Sequence, residues 1–261
     1  MSSAPIVIFD SGIGGLTVVH AVRQILPLEN IIYLGDTARV PYGTKSATTI
    51  ERYALQAGEA LKKFNPKLMI VACNTASAYG LDLLRAQSDF PVLGVIDAGA
   101  KAAEAHGGPI AILGTRATVA SNAYPRVLHQ LNTSLETVSL PCPLLVSLAE
   151  EGWWEDPITE TICRRYMSDI PPHIKTVILG CTHYPVLLPI FKRLRPDLIW
   201  VDSGTPLSYE VQSILTQKDD LSTSLKPGIL RLLVTDESSR LQELASKFLG
   251  EAAPSLELIN L

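Results

Sequence analysis

Short apolar runs rich in valine and isoleucine recur along the chain at Ile6–Phe9, Ile31–Leu34, Leu68–Ala72, Val92–Ile96 and Ile110–Leu113. They continue at Thr176–Leu179, Leu198–Val201, Leu230–Val234 and Leu256–Ile259. All are short and bounded by Gly, Pro, Asp or Asn, the pattern of strands buried on both faces. Between them the spacing turns helical. In Thr48–Phe64, Ile50, Tyr53, Ala54, Ala57, Ala60, Leu61 and Phe64 fall on one helical stripe. Strand–helix alternation of this kind predicts an α/β fold of parallel sheets with right-handed crossovers.

A weak internal repeat sharpens the picture. IVIFDSG and IAILGTR are both strand-to-helix turns, so Asp10-Ser11 aligns with Gly114-Thr115, 104 positions on. The strand ending in Val71-Ala72-Cys73-Asn74-Thr75 aligns with Leu179-Gly180-Cys181-Thr182-His183, 108 positions on. Two similar offsets predict two half-molecules of related topology, each carrying a cysteine at the carboxyl end of a strand. Ligands of open α/β sheets bind beyond those ends. Two halves face to face would set Cys73 and Cys181 on opposite walls of one cleft.

A lone cysteine in a strand is usually a small hydrophobe. That reading stands for Cys142, between two prolines, and for Cys163, inside the helical pattern Thr159–Met167. It fits Cys73 and Cys181 poorly, because they follow their apolar runs and sit among Asn74, Thr75, Thr182 and His183. Opposed thiols suit a reaction that removes a proton from one face of a carbon and returns one to the other. A thiol of ordinary acidity is only a few per cent ionised at neutral pH, so the site must assist. A helix N-terminus after each strand would supply partial positive charge, and Pro185 fits a helix start after Cys181. His183 and Asp10 are placed to relay protons.

The loop Asp10-Ser11-Gly12-Ile13-Gly14-Gly15, with Asp36 standing 24 residues after Gly12, imitates a dinucleotide fingerprint. Thr17 takes the place of the third glycine, and Asp10 would oppose a pyrophosphate. A carboxylate cradle of backbone N–H groups and the Ser11 hydroxyl is the better expectation. Asn74-Thr75 and Thr182-His183 offer further donors, so the expected guest is a small molecule carrying carboxylates.

Composition narrows the classes. Hydrophobic residues make up 47% and charged residues 18%, against disorder. A net charge of −4 argues against a nucleic-acid partner. The four cysteines form no C-x-x-C pair, so no metal site is expected. The first residues lack the basic start of a secretory signal, and Thr176–Phe191 is too short and too rich in proline to span a bilayer. The expectation is a cytoplasmic protein with no membrane partner and reduced thiols. Pyridoxal phosphate would need a lysine for its Schiff base, and the lysines read as surface groups.

DSGIGGLTV, LGDTARVPYGTKS, VACNTASA, PVLGVIDAGA, LGTRATV and ILGCTHYP, in that order from Ile6 to about Gly204, resemble the glutamate racemases of the cofactor-independent aspartate/glutamate racemase superfamily. The tail beyond Gly204 adds nothing. The resemblance implies interconversion of L- and D-glutamate with no cofactor, supplying D-glutamate for bacterial peptidoglycan. It implies that Cys73 and Cys181 are the acid/base pair, assisted by Asp10 and His183. Ser11, Pro41, Tyr42, Gly43, Asn74, Thr75, Thr115 and Thr182 are similar to the family's substrate-contacting positions. Asp36 and Glu150 are carried over as acid/base assistants, against a plain alternative of turn capping or a solvated face. Ser11 and Thr182 have the alternative of simple helix caps.

Two other readings stay open: a sister activity such as aspartate racemase, and a non-enzymatic amino-acid-binding protein that keeps the scaffold. Residues 1–97 with 207–261 are expected to form one α/β domain carrying Cys73, and 98–206 a second carrying Cys181, related by pseudo-symmetry. The active site would lie in the cleft between them, closed by a hinge motion. Few residues precede Ile6, so the N-terminal extension on which some relatives receive a cell-wall precursor as activator is not expected. A homodimer is one open option that the sequence does not decide.

Overall fold

The computed structural model describes residues 4–261. Among these residues, ten strands, all parallel to their neighbours, make two sheets. They are β1 (Ile6–Asp10), β2 (Ile31–Gly35), β3 (Leu68–Val71), β4 (Val92–Gly94), β5 (Ile110–Gly114), β6 (Thr137–Pro141), β7 (Thr176–Gly180), β8 (Ile199–Val201), β9 (Leu230–Val234) and β10 (Leu256–Leu258). The larger sheet has the order β10-β9-β2-β1-β3-β4 and the smaller β6-β5-β7-β8. The first four strands and the next four therefore repeat one order, second-first-third-fourth, which accounts for the near-equal offsets in the sequence.

Every residue of β1, β2, β3, β5 and β7 is buried. Alternation splits them between the two faces of each sheet. Ile6 and Ile8 of β1 face Leu16, Val19 and Val22 of the helix Leu16–Ile25, with Leu207 and Val211 beyond. Val7 and Phe9 face Ile50, Ala54, Ala57 and Leu61 of the helix Ala47–Lys62. In β5, Ala111 and Leu113 point to one core, Ile110 and Ile112 to the other. Each fully buried side chain of this size is worth about 1.5–3 kcal/mol. The helix Ala47–Lys62 starts where Ser46 accepts the Thr49 N–H, so the periodic stretch read from Thr48 is recovered with its cap.

Two local expectations are corrected. Val95 and Ile96, read as the end of a strand, begin the helix Val95–Glu104, because β4 stops at Gly94. β6 lies at a sheet edge, is only half-buried, and shows no apolar run, so it left no strand signal. Cys142 and Cys163 are fully buried in the core of the smaller sheet, as small hydrophobes. Among the described residues no helix is long and apolar enough to cross a membrane.

Candidate active site

In both sheets the connections diverge at the first strand: β2 lies on one side of β1 and β3 on the other, as β6 and β7 flank β5. The crevice beyond the carboxyl ends at such a divergence is where side chains can converge without breaking the ladder. Asp10, Cys73, Thr115 and Cys181 all sit at these ends. Cys73 and Cys181 line one small cavity of about 30 Å³ together with Ser11, Tyr42, Asn74 and Thr115. Val40, Pro41, Gly43, Thr75, Val146, Thr182 and His183 complete its wall. Hollows of about 380 and 510 Å³ elsewhere contain neither thiol.

Cys73 is the N-cap of the helix Asn74–Ala86. Its sulfur accepts the Ala76 N–H at 3.4 Å, and its thiol points to Ser11 Oγ at 3.4 Å. Burial pushes the thiol up to about 12, and the Asp10 charge adds to this against the Ser11 and Ala76 hydrogen bonds. Cys73 is therefore a proton-bearing thiol at neutral pH in this geometry.

The surroundings of Cys181 differ from expectation. No α-helix starts behind it; the chain makes a 3-10 turn, Tyr184–Leu187, before the short helix Leu188–Leu194. Pro185 and Pro189 lack N–H groups and split what would be one continuous helix. What faces the Cys181 sulfur instead is a side chain. His183 Nδ1 lies 3.7 Å from the Cys181 sulfur, and Nε2 lies 3.1 Å from Glu150 Oε1. Burial alone would lower the ring's pKa, but Cys181 and Glu150 on its two sides raise it to about 10. Gly14 and Phe248 hold the ring edgewise: a Cβ on Gly14 would come within 2.5 Å of Nδ1, and the Phe248 ring lies 5.5 Å away at 82°.

The glycine loop holds a carboxylate of its own, that of Asp10. Asp10 is wholly buried and accepts the Gly12 N–H at 3.1 Å and the Thr182 hydroxyl at 3.3 Å. Burial raises its pKa, against the pull of the His183 charge, the Gly15 and Gly12 N–H groups and Thr182. Ser11 and Thr182 thus hydrogen-bond Cys73 and Asp10, while Gly15 and His183 stand at the N-caps of the neighbouring helices. Thr17, which breaks the dinucleotide pattern, donates to the Thr182 carbonyl at 3.0 Å, tying the first helix to the segment behind Cys181.

Glu150 is about a third exposed and lies outside the cavity, reaching it only through His183. Its neighbour Glu151 pairs instead with Arg240. Asp36 is buried but also outside the cavity wall: it takes hydrogen bonds from Tyr42, Arg39 Nε and Thr235. Its hydrogen bond from Tyr42 is what links it to the cavity wall. The sequence reading missed Thr118, whose hydroxyl lies 3.0 Å from those of Thr75 and Thr115, themselves 2.9 Å apart. The available signal was its position three residues after Thr115, which caps the helix Arg116–Ala120 by accepting the Thr118 N–H.

Comparison with known proteins gives a consistent answer. Residues 16–207 match the family described as Asp/Glu/Hydantoin racemase. A glutamate racemase of Chlorobaculum tepidum is 43% identical over 100% of this chain and 97% of its own length. The crystal structure of a glutamate racemase from Francisella tularensis in complex with D-glutamate superposes with a TM-score of 0.94 at 37% identity, covering 100% of this chain and 98% of that one. A glutamate racemase isoform of Bacillus anthracis has the same TM-score at 35% identity, covering 99% and 98%.

Proposed function

The chain belongs to the Asp/Glu/Hydantoin racemase family, and from that premise we propose that it interconverts L- and D-glutamate, with Cys73 and Cys181 moving the α-proton. The observation that carries the reading is that two cysteines from equivalent strand ends line a single cavity. A binding protein has no use for two such thiols, and a single-base enzyme needs only one.

In this geometry Cys73 holds its proton. The cysteine of the VACNTASA segment resembles the one that deprotonates D-glutamate in the family, and, carried over from there, the base for L-glutamate is Cys181. Its sulfur takes the α-proton of L-glutamate: the C–H bond breaks, an S–H bond forms, and the electron pair passes into the α-carboxylate. Cys73 then delivers its proton to the opposite face, giving D-glutamate and a Cys73 thiolate. The reverse direction exchanges the roles. His183, protonated at neutral pH, faces the Cys181 sulfur and balances its negative charge as a base; Asp10 assists on the Cys73 side. Hydroxyl and amide donors at Ser11, Asn74, Thr75, Thr115 and Thr182, with the Pro41-Tyr42-Gly43 turn, hold the carboxylates, including the charge that develops during transfer.

A cavity of about 30 Å³ holds about one water, so glutamate enters only when the walls part. Residues 1–97 with 207–261, and 98–206, are the two bodies we assign to that motion; residues 1–3 lie outside the described part. The product suits peptidoglycan synthesis in the cytoplasm.

The test is loss of optical activity when the pure protein meets L-glutamate with nothing added. Glutamate should racemise to completion and alanine should be inert, since it leaves the distal donors unpaired at about 1–3 kcal/mol each. Aspartate turnover equal to that of glutamate would move the assignment to the sister activity; no turnover of either would leave a binding protein.

A further inference from the structure

Tyr124 is buried, belongs to the helix Ala123–Leu131 of the part built on the smaller sheet, and touches neither thiol by hydrogen bond. Its hydroxyl reaches Asn74 Oδ1 at 2.7 Å, on the part built on the larger sheet, and Ser203 Oγ at 3.1 Å. Ser203 immediately precedes the helix Gly204–Gln217, where the chain crosses back. Gly99, in the outgoing helix Val95–Glu104, leaves room for this junction: a Cβ there would come within 2.2 Å of Ser203 Oγ and 3.3 Å of the Tyr124 hydroxyl. The phenol thus sits where both crossing segments meet the residue next to Cys73.

A phenol has one hydrogen to donate. If the Ser203 hydroxyl donates to Tyr124 and Tyr124 donates to Asn74 Oδ1, the amide oxygen is taken up by the phenol and the NH₂ is left as the group that Asn74 can offer to the cavity it lines. The opposite rotamer would turn a carbonyl oxygen on an anionic substrate. Burial keeps the phenol protonated across the working pH range, so it remains a donor. Resting on the glutamate reading above, we infer that Tyr124 is a positioning residue that locks the Asn74 amide as a donor to a substrate carboxylate, with Ser203 orienting the phenol.

The test is a double-mutant cycle read as KM and kcat for both enantiomers. Tyr124→Phe keeps the ring and removes the hydroxyl; KM should rise about tenfold, the loss of one hydrogen bond to a charged group, with kcat changing less. In an Asn74→Ala background the same substitution should change KM by less than about twofold, because its target is gone. Ser203→Ala should act in the same direction, about two- to threefold, and also vanish in that background. An equal effect of Tyr124→Phe with and without Asn74, or no effect in either, overturns the inference. If Tyr124→Phe does not fold, the Ser203→Ala cycle decides by the same criterion. An inactive wild-type chain overturns the glutamate reading and this inference with it, whereas an active wild type with an unchanged Tyr124→Phe overturns only the inference.

Discussion

Glu150 Oε1 lies 3.1 Å from His183 Nε2, on the side of the ring away from Cys181, so a partly exposed carboxylate supports a buried imidazolium facing a sulfur. Glu150→Gln keeps the shape and removes the charge that helps raise the ring's pKa to about 10. The alkaline limb of the pH–rate profile should move down by about one unit, with little change near pH 7. An unmoved limb would mean that Glu150 does not govern His183.

The same ring links stability to pH. Its folded pKa of about 10 exceeds the ordinary 6.5, so the folded state holds this proton more tightly. The stability it contributes is fully present below pH 6.5 and is lost as pH rises through 10. The Cys73 thiol, raised from 9.0 to about 12, begins to lose its contribution only above pH 9. Between pH 7 and 9 the melting temperature should therefore fall more steeply for wild type than for His183→Gln. Parallel slopes in a thermal-unfolding series would contradict this.

Replacing either thiol by serine leaves volume and polarity nearly unchanged but raises the acid/base pKa by several units. Cys73→Ser and Cys181→Ser should each lose about a thousandfold in racemisation in both directions and still fold by circular dichroism. In D₂O, wild type started from one enantiomer should place deuterium in the product while unreacted substrate stays protonated at early times. Equal early labelling of substrate and product, or an active Cys73→Ser, would replace the two-base account with a single base.

Gly43, in the turn after Pro41, faces Thr115 at the end of β5, and a Cβ there would lie 2.6 Å from the Thr115 Cβ. The added methyl in Gly43→Ala wedges the walls apart where they meet. We expect kcat/KM to fall about a hundredfold, the cost of a misplacement near 1 Å, with the melting temperature little changed. Gly12→Ala, whose Cβ meets only the tip of Val40 at 3.2 Å, should lose far less. Comparable losses from the two variants would remove closure as the explanation.

At the opposite end of the larger sheet, Lys67 Nζ pairs with Glu29 Oε2 at 2.6 Å, both side chains almost wholly buried. Lys67 also donates to the Asp220 carbonyl, and Glu29 accepts the Ser222 N–H, so the pair fastens the returning C-terminal segment. Lys67→Met strands the Glu29 charge and should cost about 3–5 kcal/mol in urea unfolding. Because the pair is remote from the thiols, kcat should hold; a loss of kcat without a loss of stability would be the contrary result.

Period and punctuation in the sequence determined the strands and their parallel, crossover-linked character, because a strand buried on both faces must be apolar throughout. The repeat placed Cys73 and Cys181 at equivalent strand ends, and the motifs carried most of the cavity wall. The edge strand β6 stayed invisible because a half-buried edge needs no apolar run. What lies across gaps of many residues was decided only by the tertiary structure. That the Asp10 carboxylate lies within the glycine loop depends on Thr182 approaching from 172 positions away. That Glu150 and not Glu151 faces His183 depends on the direction each side chain leaves its helix end, and adjacent residues leave about 100° apart. Tyr124 stands in none of the motifs, and Thr118 stands in one that gives it no partner: a hydroxyl acquires a role from the atom it meets, and that Tyr124 meets Asn74 and Thr118 meets Thr75 is set by how the helices of the two halves pack together.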